Sequence, residues 1–134
     1  MLKDYFDKEK YEELKESDNL IYKALEVSSK LFENDTDKGG RPYFLHLLYV
    51  YNNVFTIDEK VVALLHDVIE DKDVTKEELL DIGFPLKIVS DVEILTRVKP
   101  KEYNDYIDNI IKNGSKEALE VKLADLKNNI DLKK

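Results

Sequence analysis

The chain contains no cysteine, which rules out disulfide staples and thiolate metal sites alike. It has no apolar run near the roughly 20 residues that a membrane span requires. Its opening, MLKDYFDKEK, holds no apolar core of signal-peptide length, so a cytoplasmic location is expected. A basic excess is also missing: 29 acidic residues against 21 basic ones leave a formal charge of −8. Nucleic acid and anionic membranes are therefore not expected as partners, since both call for a basic footprint. A small anionic ligand, held in a local basic pocket or bridged by a metal, remains compatible with that balance. No segment shows sustained period-2 alternation bounded by turns, so no strand is expected.

What is present is helical periodicity, in a chain of 134 residues that suits one domain. Residues 19–34 repeat apolar positions at Leu20, Ala24, Val27 and Leu31, with Ser17 or Asp18 as a suitable N-cap. NDTDKGGRP follows as turn chemistry, and Pro42 fits the first turn of a helix over 43–54. Thr56 to Glu59 has capping-box form and opens a helix containing VVALLHDVIED. Thr75 to Glu78 repeats the box, and Gly83 is placed to end that short helix. Further helices are expected over 85–96, over 102–113 up to Gly114, and from Lys116 to the C-terminus. The expected fold is an all-α bundle of about six to seven helices.

VVALLHDVIED, Val61 to Asp71, is the most apolar of these helices, yet it gathers His66, Asp67, Glu70 and Asp71 in its last six residues. On a continuous helix His66 and Glu70 stack four apart, as do Asp67 and Asp71. Buried together, three carboxylates repel one another and draw their protons back; a divalent cation reverses that preference. The other histidine, His46, sits inside the apolar stretch PYFLHLLYVY, and Asp125 sits inside VKLADLKNNI. Three apolar helices each carry a ligand-type residue. Two imidazoles and two carboxylates make a complete set for one divalent metal. A small anionic ligand would need cations as well. The chain has only two arginines, Arg41 and Arg97, and Lys38, Lys99, Lys101, Lys122 and Lys127 are further candidates. Tyr103 and Tyr106 are weighted toward the core.

The order His46, His66-Asp67, Asp125 resembles the signature of the HD-domain metal-dependent phosphohydrolases. DKGGRPYFLH, ALLHDVIEDKDVT, EILTR and VKLADLKNNID look like the branch containing the RelA/SpoT-type hydrolases of the alarmone ppGpp. That resemblance implies one metal ion, manganese foremost, held by His46, His66, Asp67 and Asp125. It implies Glu70 and Asp71 as the acidic pair that positions or deprotonates the attacking water. It places Asn129 in the nucleotide site, with Tyr43 and Lys38 at its mouth. Asp37 stands where alarmone hydrolases often carry an arginine. The expected activity is pyrophosphate release from the 3′ position of (p)ppGpp. The alternatives are an HD hydrolase of another phosphorylated nucleotide, or a non-catalytic module that binds a nucleotide or a partner protein.

Overall fold

A computed structural model describes residues 1–98 and 102–132, with side chains through Asn129. Among these residues nine α-helices follow a short 3-10 turn at Leu2–Tyr5, and no strand occurs. Lys8–Glu16 forms α1, Leu20–Leu31 α2, Phe44–Asn52 α3, Ile57–Leu65 α4 and Val68–Lys72 α5. Lys76–Asp81 forms α6, Leu86–Ile94 α7, Tyr103–Asn113 α8 and Lys116–Leu132 α9. No helix is long and apolar enough to cross a membrane.

The bundle is organised around α4. Val61, Val62, Ala63, Leu64 and Leu65 are all fully buried, and α4 packs against α2, α3, α7 and α9. Burying a Val or Leu side chain contributes about 1.5–3 kcal/mol, so this run is the fold's hydrophobic axis. Both capping boxes form. The Thr56 side chain accepts from the Glu59 amide while Glu59 returns to the Thr56 amide, and Thr75 with Glu78 does the same for α6. Gly83 follows the C-cap of α6 at φ +107°, a conformation open to glycine, with the Phe84 amide bonding back to the Leu79 carbonyl.

The helix count exceeds the sequence expectation for two reasons. The stretch over 57–72 is not one helix: α4 ends at Leu65, His66 caps it, and ψ at Asp67 opens to 0° before α5 begins. The His66 ring takes the Ala63 carbonyl as its partner at 2.6 Å. The second reason is α1, whose sequence KEKYEELKE is polar almost throughout and buries only Leu14. Tertiary ties hold it instead: Tyr11 Oη donates to Asp81 Oδ2 at 2.7 Å, and Lys10 Nζ to Tyr22 Oη at 2.8 Å. The cap of α2 also differs from expectation. Asn19, not Ser17 or Asp18, accepts from the Tyr22 amide at 3.0 Å.

Candidate active site

Eleven of the residues singled out for a role line one cleft of about 700 Å³: Lys38, Arg41, Tyr43, His46, His66, Asp67, Glu70, Asp71, Arg97, Asp125 and Asn129. Lys99 and Lys101 lie outside the described residues. Lys127 is exposed and does not line the cleft. Tyr103, Tyr106 and Lys122 do.

Three elements meet at the cleft floor. His46 comes from the first turns of α3, His66 from the α4–α5 junction and Asp125 from mid-α9; all three are buried. Their donor atoms lie within 4.8 Å of one another. The His46 Nδ1 pairs with Asn128 Oδ1 at 2.5 Å, which leaves Nε2 to face Asp125 Oδ1 at 2.8 Å. The His66 Nδ1 pairs with the Ala63 carbonyl, which fixes the tautomer that has a bare lone pair at Nε2. That Nε2 faces Asp67 Oδ2 at 3.3 Å and Asp125 Oδ1 at 3.5 Å, yet it has no hydrogen bond. Buried polar atoms are otherwise paired. Among the described residues the one other orphaned side-chain atom is Asp91 Oδ2, and Asp91 does not line the cleft.

The bare His66 Nε2 thus faces two carboxylate oxygens, an arrangement that a proton or a metal cation satisfies. Burial alone would push His66 down, but the Asp67 charge and the Asp125 contact outweigh it and carry the imidazole up to about 9. His46 is raised as well: burial opposes, while Asp125 and Asn128 favour the imidazolium. Asp125 is driven far below the carboxylate range by both histidines and Lys122, against the effect of burial. Two neutral imidazoles and an ionised Asp125 also fit a divalent cation, since such a site needs deprotonated nitrogen and oxygen donors. Asp67, the fourth expected ligand, stands beside His66 but outside that convergent group of three. Asp67 is oriented by the Tyr43 hydroxyl, which donates to Oδ2 at 2.5 Å. Tyr43 therefore bonds directly to one of the candidate ligands.

Glu70 and Asp71 stand exposed at the cleft's edge, on α5. Glu70 Oε1 accepts from the Arg97 amide at 2.7 Å, which ties α5 to the segment after α7. Burial, then the charges of Asp67 and Glu70, lift the Asp71 carboxyl to about 6. Arg97 also lies against the Tyr103 ring at 5.4 Å. Opposite, the loop before α3 is shaped by Asp37, whose Oδ1 accepts from the Gly39 and Arg41 amides at 2.8 and 3.0 Å. Its Oδ2 faces Arg41 Nε at 3.4 Å. The Arg41 amide bond, with Gly39 and the guanidinium in support, holds the Asp37 carboxyl below its usual range.

Sequence reasoning missed Asn128 and undervalued Lys122. Asn128 is buried against His46, and its signal was its place three residues beyond Asp125, on the same face of α9. Lys122 Nζ bonds Asp125 Oδ2 at 3.0 Å with only 14% of its side chain exposed. Burial would lower its pKa, but the Asp125 charge prevails and raises it. Tyr106 is core and cleft wall at once: it is buried, and its hydroxyl donates to the Leu95 carbonyl at 2.5 Å.

No family model matches the chain. Individual proteins do. The chain is 35% identical over 82 residues to a guanosine-3′,5′-bis(diphosphate) 3′-pyrophosphohydrolase of Borreliella burgdorferi, covering 58% of this chain and 12% of that protein. It is 32% identical over 83 residues to the protein of the same name from Vibrio cholerae, covering 59% and 12%. A GTP pyrophosphokinase of Myxococcus xanthus is 38% identical over 68 residues, covering 48% and 9%. The chain thus spans about an eighth of the length of the two pyrophosphohydrolases. Donor signature, helical fold and sequence likeness point the same way: over 58–59% of its length the chain is similar to two proteins named guanosine-3′,5′-bis(diphosphate) 3′-pyrophosphohydrolase.

Proposed function

We propose that this chain is a metal-dependent phosphohydrolase that removes the 3′-pyrophosphate of ppGpp or pppGpp. The observation that carries the reading is the orphaned His66 Nε2, aimed at two carboxylate oxygens on the floor of a nucleotide-sized cleft. His46, His66, Asp67 and Asp125 would hold one divalent cation, manganese in our reading. Bound there, the ion supplies Lewis acidity, lowering the pKa of water and polarising a phosphoryl oxygen.

The chain's own residues do the rest. Asn128 and the Ala63 carbonyl keep both imidazoles turned with Nε2 inward, and Tyr43 steadies Asp67. Glu70, fixed through one oxygen by the Arg97 amide, is placed to orient and deprotonate water with the other, and Asp71 adjoins it. Water adds to the phosphorus that bears the 3′-oxygen, and the P–O3′ bond breaks. Pyrophosphate departs with the new oxygen, and the 3′-oxygen takes up a proton. Lys38, Arg41, Arg97 and Asn129 line the approach and are assigned to the nucleotide. A substrate of this kind accords with a cytoplasmic protein.

Asp37 favours a second substrate within the same chemistry. Its carboxylate is spent on loop amides and Arg41, so base recognition cannot rely on a cation at that position. Another phosphorylated nucleotide is the alternative.

Purified protein given ppGpp and Mn²⁺ is expected to release one pyrophosphate per nucleotide, and a chelator should stop it. Glu70→Gln should lower turnover by about 10²-fold or more while leaving Mn²⁺ binding intact. Release that survives chelation, or a fully active Glu70→Gln variant, overturns the proposal.

A further inference from the structure

The cations of the cleft are not equivalent. Lys38 and Arg41 project from the loop before α3, with Arg41 58% exposed, and Arg97 follows α7. Lys122 instead rises from α9, one turn before Asp125, and is largely buried. A lysine normally keeps its ammonium in water. This one is held on two sides, by Asp125 Oδ2 at 3.0 Å and by the Tyr106 ring face, whose centroid lies 5.2 Å away.

Two features argue that holding Asp125 is not its whole task. An ammonium carries three donors; Asp125 takes one, the Tyr106 side chain stands against a second, and the residue lines the open cleft. The second feature is electrostatic. A neutral donor would orient Asp125 as well, since orienting needs no charge: the neutral Asn128 Oδ1 orients His46 by accepting from its Nδ1–H. A fixed positive charge one hydrogen bond from a ligand carboxylate repels any cation bound there. An anion shared between the two cations relieves that repulsion.

We infer that Lys122 is a phosphoryl-binding residue: it fixes Asp125 through Oδ2, leaves Oδ1 to the histidines, and turns its remaining N–H to the phosphate under cleavage. The inference rests on the hydrolase reading of the cleft and names the cation that reading left open. It also makes metal and phosphate binding cooperative, because each offsets a repulsion the other would face alone.

The test is a pair of calorimetric titrations, Mn²⁺ into metal-free protein and inorganic pyrophosphate into the Mn²⁺-loaded protein. Lys122→Met is expected to bind Mn²⁺ at least as tightly as the wild type but pyrophosphate at least tenfold more weakly. Lys122→Arg should keep pyrophosphate affinity within about threefold. Should the Met variant fail to fold, Lys122→Gln keeps the hydrogen bond without the charge and gives the same expectation. Pyrophosphate affinity unchanged in the uncharged variants overturns the inference, as does parallel loss of Mn²⁺ and pyrophosphate, which marks a merely structural lysine. Lys122-dependent pyrophosphate binding by a wild type that leaves ppGpp intact would refute the alarmone reading and leave this inference standing.

Discussion

Two ring nitrogens decide what the cleft binds. His46 and His66 each commit Nδ1, one to Asn128 and one to the Ala63 carbonyl, so both Nε2 atoms turn toward Asp125. The sequence made both histidines conspicuous, because they are the chain's only two and each interrupts an apolar stretch. The partner that orients His46 was not legible, since an asparagine in the middle of α9 looks like any polar position until the helix is docked. Replacing Asn128 with Ala is therefore expected to weaken Mn²⁺ affinity roughly tenfold or more, measured by titration, with little change in far-ultraviolet circular dichroism. Roles for Arg41 and Arg97 were likewise read from their place in the motif blocks. Their side chains meet at one cleft only because the loop before α3 and the end of α7 fold toward it.

At the level of elements, the legible parts were those with local chemistry. Both capping boxes, the glycine after α6 and the apolar axis of α4 all have causes within a few residues. The break between α4 and α5 does not: it depends on where His66 finds its partner, and the helical spacing of His66, Asp67, Glu70 and Asp71 reads equally well as continuous. Glu59 shows what a cap contributes to the site, because α4 delivers His66. Burial would raise its carboxyl, but the Thr56 and Phe55 amides win and hold it below its ordinary value. Its stabilisation is thus present above the unfolded value of 4.5 and is lost as the pH falls through the folded value. Glu59→Ala is expected to cost about 1–2 kcal/mol at pH 7, shrinking toward acid pH in denaturant melts. Gly83→Ala should also destabilise, since φ +107° strains an L side chain and a Cβ there would sit 3.0 Å from the Lys15 carbonyl of α1.

For the whole molecule, a cation held as proposed would make stability depend on metal. At a free Mn²⁺ concentration 100 times Kd, binding adds about 2.7 kcal/mol to unfolding, so a chelator should lower Tm in differential scanning calorimetry. Asp67→Ala should remove most of that difference. The same ion would act on the chain as a cross-link does. Its ligands come from α3, the α4–α5 junction and α9, and His46 stands 79 residues from Asp125. A clasp between such distant positions removes more freedom from the unfolded chain than one between neighbours. Amide exchange along α9 should therefore slow markedly once Mn²⁺ is bound, making α9 the part of the molecule that reports whether the cleft is loaded.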